Sequence, residues 1–67
     1  MPNLSDRLKQ LKIERKLLQK NIANDIGISL RAYRYYENGE RNPDSDTLVK
    51  LADYFGVSVD YLLGRDN

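Results

Sequence analysis

The sequence predicts an all-α fold, a compact bundle of five short helices, and three observations carry that prediction. Apolar residues recur at spacings of three and four along the chain, and no segment alternates with a period of two for long enough to argue a strand. Gly27, Gly39, Gly56 and Gly64, together with Pro43, cut the sequence into segments of about one helix each. The chain has 67 residues, 40% of them hydrophobic. Ordering a chain of this size costs roughly 100 kcal/mol at about 1.5 kcal/mol per residue, so nearly every apolar side chain must be buried in a single core. One domain over residues 1–67 is expected, with its core within 3–64.

The elements follow in order. Leu4, Leu8 and Leu11 form one stripe of a first helix running from Asn3 or Leu4 to Arg15, with Asn3 or Ser5 able to cap its free N–H groups. Ile13 falls off that stripe, as a lone surface apolar or an interaction spot. Gln19 to Ile26 is a second helix burying Ile22, Ala23 and Ile26, and Gly27 closes it in the left-handed conformation. Ile28 anchors the following turn, and Ser29 caps a third helix that runs to Asn38 and ends at Gly39. Asp44 or Ser45 caps a fourth helix burying Leu48, Leu51, Ala52 and Phe55, ended by Gly56. A fifth runs from Val59 to Leu63, between Ser58 and Gly64.

Composition excludes whole classes of chemistry. With no cysteine and no histidine there is no disulfide, Cys/His metal site, thiol nucleophile or imidazole base. The sequence therefore points to no cofactor, no metal and no catalytic residue. No apolar run is long enough to span a membrane, and Met1 to Arg7 lacks the basic-then-apolar layout of a signal peptide. A soluble, cytoplasmic protein without a membrane or small-molecule partner is expected. Net charge is only +1, but residues 1–42 carry nine basic and five acidic side chains, whereas residues 43–67 carry two and five. Such a split suits a molecule with one side turned to a polyanion, and equally suits ordinary solvated helix faces.

The third helix sharpens the question. At about 100° per residue, Tyr33, Tyr36 and Glu37 share one side, with Ser29 at its edge, while Arg31, Arg34, Tyr35 and Asn38 share the other. If the tyrosines pack inward, the outer face presents two guanidinium forks, a phenol and a carboxamide, a set able to read base edges. By periodicity alone a reading face and a solvated face remain equal alternatives. Of the five tyrosines only Tyr35 points clearly outward, which argues against a platform for stacking single-stranded nucleic acid.

The run Gln19-Lys20-Asn21-Ile22-Ala23-Asn24-Asp25-Ile26-Gly27-Ile28-Ser29, then Tyr33, Tyr36-Glu37-Asn38-Gly39, Pro43, Thr47-Leu48, Leu51-Ala52 and Gly56-Val57-Ser58-Val59-Asp60-Tyr61-Leu62-Leu63-Gly64, resembles the Cro and phage-repressor (XRE) type of helix-turn-helix domain over almost the whole chain. The resemblance implies a lambda-repressor-like bundle whose helix-turn-helix spans 19–38, with the third helix entering the DNA major groove. It assigns Ser29, Leu30, Arg31, Arg34 and Tyr35 to the groove, and Gln19, Asn38, Arg41 and Asn42 to phosphates. It also implies an ion pair between Glu37 and Lys12, a structural role favoured over a catalytic carboxylate because no second acid or nucleophile accompanies it.

Three positions depart from the family pattern. Leu18 stands where a capping Thr or Ser is usual, Lys16 where Gly or Asn often sits in the turn, and Tyr33 where Ile or Val is common. A buried Tyr33 needs a partner for its hydroxyl. Val59, Tyr61, Leu62 and Leu63 are more apolar than one short helix can bury, and by resemblance they form a two-fold contact that sets two third helices about 34 Å apart. The function expected is a sequence-specific regulator, a repressor that holds double-stranded DNA at a palindromic operator as a homodimer. The alternative is a protein-interaction module, antitoxin-like or adaptor, working through the apolar fifth helix. Arg65-Asp66-Asn67 directly after that helix suits a domain boundary.

Overall fold

The computed structural model describes residues 3–65; Asp66 and Asn67, and with them part of the expected boundary, lie outside the described residues. Five helices follow one another: α1 (Leu4–Glu14), α2 (Gln19–Ile26), α3 (Leu30–Asn38), α4 (Ser45–Phe55) and α5 (Val59–Leu62). Two ends are one residue shorter than their sequence suggests, because Arg15 and Leu63 are the C-caps of α1 and α5.

Side chains account for four of the five helix starts. Asn3 Oδ1 accepts from the N–H of Asp6 at 3.0 Å, while Asp6 Oδ2 receives the N–H of Asn3. Ser29, Asp44 and Ser58 each accept from the N–H three residues on, at 3.0, 2.8 and 2.9 Å. Leu18 has no acceptor to offer, as its identity requires, and its side chain is 58% exposed rather than packed. The first turn of α2 tightens instead: the N–H of Asn21 turns back on the Leu18 carbonyl at 3.0 Å, ahead of the longer 3.3 Å bond from Ile22.

All five helices end alike, in a two-bond closure around one left-handed residue. In α1 the N–H of Lys16 meets the Ile13 carbonyl at 3.1 Å and that of Leu17 meets the Lys12 carbonyl at 3.0 Å. The same pair of bonds recurs at Gly27, Gly39, Gly56 and Gly64. Lys16 does at φ +55° what glycine does at the other four, and an L side chain there costs about 1 kcal/mol.

The core is assembled from the predicted stripes. Leu4, Leu8 and Leu11 of α1 meet Ile22, Ala23 and Ile26 of α2, Tyr33 of α3, Leu51, Ala52 and Phe55 of α4, and Leu62 of α5. Helix α3 packs against α1 and α2, α4 against α2 and α5, and α5 against α1. Polar ties lock the outer elements: Arg15 Nη2 donates to the Phe55 carbonyl at 2.6 Å, the Tyr54 hydroxyl donates to Asp25 Oδ2 at 2.8 Å, and the Arg7 guanidinium lies 4.0 Å from the Tyr61 ring centre. Leu62 is fully buried, which corrects its place among the expected surface contacts of α5; Val59, Tyr61 and Leu63 are half-buried. The off-stripe Ile13 is 71% exposed.

Tyr33 sits at the centre, fully buried, and among the described residues its hydroxyl makes no hydrogen bond of good geometry, nor does Glu37 Oε2 one turn further along α3. Burial pushes the Tyr33 phenol far above its ordinary range, and the Glu37 carboxylate adds to the shift.

Candidate nucleic-acid interface

Burial of Tyr33 and Glu37 settles how α3 is turned: Arg31, Arg34 and Asn38 are exposed, while Leu30 and Tyr35 are half-buried at the margins of that outer face. Ser29 begins the helix with its hydroxyl already used as the cap. Leu30 lines a shallow groove with Leu17, Leu18, Gln19, Lys20 and Arg34, so the start of α3 abuts the start of α2. The loop after α3 brings Arg41 beside Tyr35, and Asn42 follows it, exposed.

Neither arginine of this face hangs loose. Arg34 donates from Nε to Gln19 Oε1 at 3.2 Å, and Gln19 Nε2 donates to Glu37 Oε1 at 3.2 Å. The same carboxylate oxygen receives Lys12 Nζ at 2.7 Å, which is the ion pair the family resemblance implies. Arg31 donates from Nε to the Tyr35 hydroxyl at 3.1 Å, with its guanidinium 5.7 Å from the ring centre, and Arg41 stands 4.4 Å from the same centre. Two clusters result, one around Gln19 and Arg34 and one around Tyr35, Arg31 and Arg41. Among the described residues no carboxylate forms an ion pair with Arg31, Arg34 or Arg41.

The sequence missed both arginine tethers. The bond from Arg31 to Tyr35 spans one helical turn, the i, i+4 spacing at which neighbouring side chains meet, and that signal was present. The bond from Arg34 to Gln19 crosses fifteen positions and leaves no periodic trace. The residues expected to form a two-fold contact lie apart from this surface, on α5, which packs against α1 and α4. Among the described residues no group of three or more His, Cys, Asp or Glu could hold a metal ion, and no helix is long and apolar enough to cross a membrane.

A first helix that braces a second whose outer face is exposed, basic and free of carboxylates is the arrangement of a helix-turn-helix unit. The sequence profile of the helix-turn-helix family matches residues 8–62. The chain is 44% identical over 64 residues to the uncharacterized HTH-type transcriptional regulator YqaE of Bacillus subtilis (strain 168), covering 94% of this chain and 55% of that protein. It superposes on the crystal structure of a transcriptional regulator from Listeria innocua with a TM-score of 0.88 at 35% identity, over 97% of this chain and 61% of the other. It also superposes on the P22 c2 repressor, solved in complex with synthetic operator 9T, with a TM-score of 0.90 at 26% identity over 98% of this chain and 100% of the other. The chain belongs to the Cro and phage-repressor type of the helix-turn-helix family, a family of DNA-binding transcription regulators. It spans about half the length of the curated relatives it matches.

Proposed function

We propose that this chain is a sequence-specific double-stranded-DNA-binding unit of a cytoplasmic transcription regulator, a repressor that occupies a palindromic operator as a homodimer. The observation that carries the reading is the outer face of α3: two exposed arginines are held at Nε, with no carboxylate paired to them among the described residues, which leaves their terminal N–H groups suited to an anionic partner rich in acceptors. Ser29, Leu30, Arg31, Arg34 and Tyr35 are the residues assigned to the major groove. Gln19, Asn38, Arg41 and Asn42 are assigned to the flanking phosphates. Contacts of the second kind set register, and those of the first select sequence.

Two copies are part of the proposal for a geometric reason. The protein measures 31 Å in its longest dimension, and successive major grooves on one side of a duplex lie about 34 Å apart, so one copy reaches one groove. Val59 and Tyr61 of α5 and its C-cap Leu63 are the residues assigned to the contact between copies. No cofactor, metal, small-molecule substrate or catalytic step enters the proposal.

Selection of bound sites from random duplex DNA tests it, followed by competition with single-base variants. Arg31→Ala is expected to cost about 1 to 3 kcal/mol on the selected site and to relax preference at one base pair. An equal loss on every sequence demotes Arg31 to a phosphate contact. Absence of any preferred duplex overturns the reading in favour of a protein-interaction module working through α5.

A further inference from the structure

We propose that Tyr35 is a positioning residue for Arg31, and that it sets which edge of the Arg31 guanidinium reads DNA. The proposal rests on the assignment of the outer face of α3 to the major groove. A guanidinium offers two bidentate edges to an acceptor pair: the side edge formed by Nε and one terminal nitrogen, and the end edge formed by the two terminal nitrogens. In this protein the Arg31 Nε–H is already given to the Tyr35 hydroxyl at 3.1 Å. The end edge is therefore the bidentate edge left for a base, and guanine O6 and N7 are the acceptor pair it fits.

The tether is itself braced. The Arg41 guanidinium stands 4.4 Å from the Tyr35 ring centre, so the loop after α3 holds the ring while the ring's hydroxyl holds Arg31. Ser29, Arg31, Ala32, Tyr35 and Arg41 line one shallow hollow that runs along the outer side of α3 from its N-cap to the loop that follows it. Two cations gather on one phenol, at its ring face and its oxygen, with no carboxylate paired to either among the described residues. Arg34 has a tether of the same type but of different origin, since Gln19 takes its Nε. Tyr35 thus acts through Arg31, and its phenol is not itself the reader of a base.

Tyr35→Phe keeps the ring, and with it the stacking of Arg41, but removes the acceptor. The measurement is discrimination between the selected site and its single-base variants for wild type, Tyr35→Phe, Arg31→Ala and the double variant, with circular dichroism to show that each is folded. Tyr35→Phe is expected to reduce discrimination about three- to tenfold at the same base pair that Arg31→Ala relaxes, the cost of ordering one freed side chain at binding. In the Arg31→Ala background it is expected to add no further loss, because residues that act through one another are not additive. Losses that add, or a Tyr35→Phe effect at a different base pair, overturn the proposal and make Tyr35 a direct contact. A DNA-independent readout accompanies these: exchange of the Arg31 Hε proton by nuclear magnetic resonance, expected to be slower in wild type than in Tyr35→Phe. Equal exchange in the two overturns the tether. Slower exchange in a wild type that prefers no sequence leaves the tether standing and overturns the groove assignment, and with it the role proposed for Tyr35.

Discussion

Removing a single oxygen from the core, by Tyr33→Phe, is expected to stabilise this protein. The Tyr33 hydroxyl is fully buried and makes no hydrogen bond of good geometry among the described residues, the Glu37 carboxylate being its one polar neighbour along α3, and a poorly satisfied buried hydroxyl costs about 1 to 3 kcal/mol relative to a well-packed apolar group. The phenylalanine ring keeps the packing against the stripes of α1, α2 and α4, so a gain of about 1 kcal/mol at pH 7 is expected. For a chain of this size that raises Tm by roughly 4 to 8 °C. Alkali enlarges the difference. The phenol's ordinary value is 10.0 and burial raises it in the folded state, so its contribution is fully present below pH 10 and is lost as pH rises above it, when the unfolded chain releases a proton that the folded one retains. The slope is about 1.4 kcal/mol per pH unit, and the variant lacks this loss while sharing every other. Urea denaturation followed by circular dichroism at pH 7, 10 and 11 reads both effects. A variant less stable than wild type at pH 7 shows that the hydroxyl donates to Glu37 Oε2 in solution. A gap that does not widen between pH 10 and 11 shows that the phenol ionises freely and is not buried.

Three further outcomes are expected. Leu18→Thr supplies the acceptor that α2 lacks; the cap contributes about 1 kcal/mol, the half-exposed leucine gives back part of that, and a net gain of roughly 0.5 kcal/mol in denaturation experiments is expected. Lys16→Gly relieves the left-handed strain at the end of α1 at the expense of added freedom in the unfolded chain, again a gain of roughly 0.5 kcal/mol, and a loss would mean that the Lys16 side chain makes a stabilising contact. Hydrogen bonds from the Thr47 hydroxyl and backbone N–H hold the Asp44 carboxyl below its ordinary value of 3.8, so its contribution is present above that pH and fades as pH falls through the lowered value; Asp44→Asn is expected to flatten the acid limb of the stability profile.

The helices were legible because both of their ends are written in residue types. Asn3, Ser29, Asp44 and Ser58 begin four of them, four glycines finish four, and the two exceptions, Leu18 and Lys16, stood out by departing from the family pattern. The inward faces of α1, α2 and α4 were legible for a related reason: each has enough turns for a stripe to emerge. Helix α5 has only four residues, and at about 100° per residue Val59, Tyr61, Leu62 and the C-cap Leu63 spread over more than half of its circumference. No period can single out the one that α1 and α4 enclose, and the structure selects Leu62. The outer face of α3 was legible as a set of residue types but not as a mechanism, because the tethers that orient it depend on which atom of each arginine is already bonded.

Those tethers explain why a carboxylate is kept in so small a core. Glu37 is almost fully buried, and taking its charge out of water is expensive even with Lys12 bonded to it at 2.7 Å. An apolar residue of similar volume at that position would pack without this cost. It would also leave the Gln19 amide without an acceptor, and the amide would be free to turn over. In the observed arrangement Glu37 Oε1 takes the Nε2 hydrogen, which fixes Oε1 of Gln19 towards Arg34. A lysine of α1, a carboxylate of α3, an amide of α2 and an arginine on the outer face thus form one chain of hydrogen bonds from core to surface. Orientation at Arg34 is inherited from helix packing, whereas at Arg31 it comes from a neighbour on the same helix. The two arginines of one face are therefore separable by mutation: disturbing the seam between α1, α2 and α3 loosens Arg34, whereas a change at Tyr35 loosens Arg31.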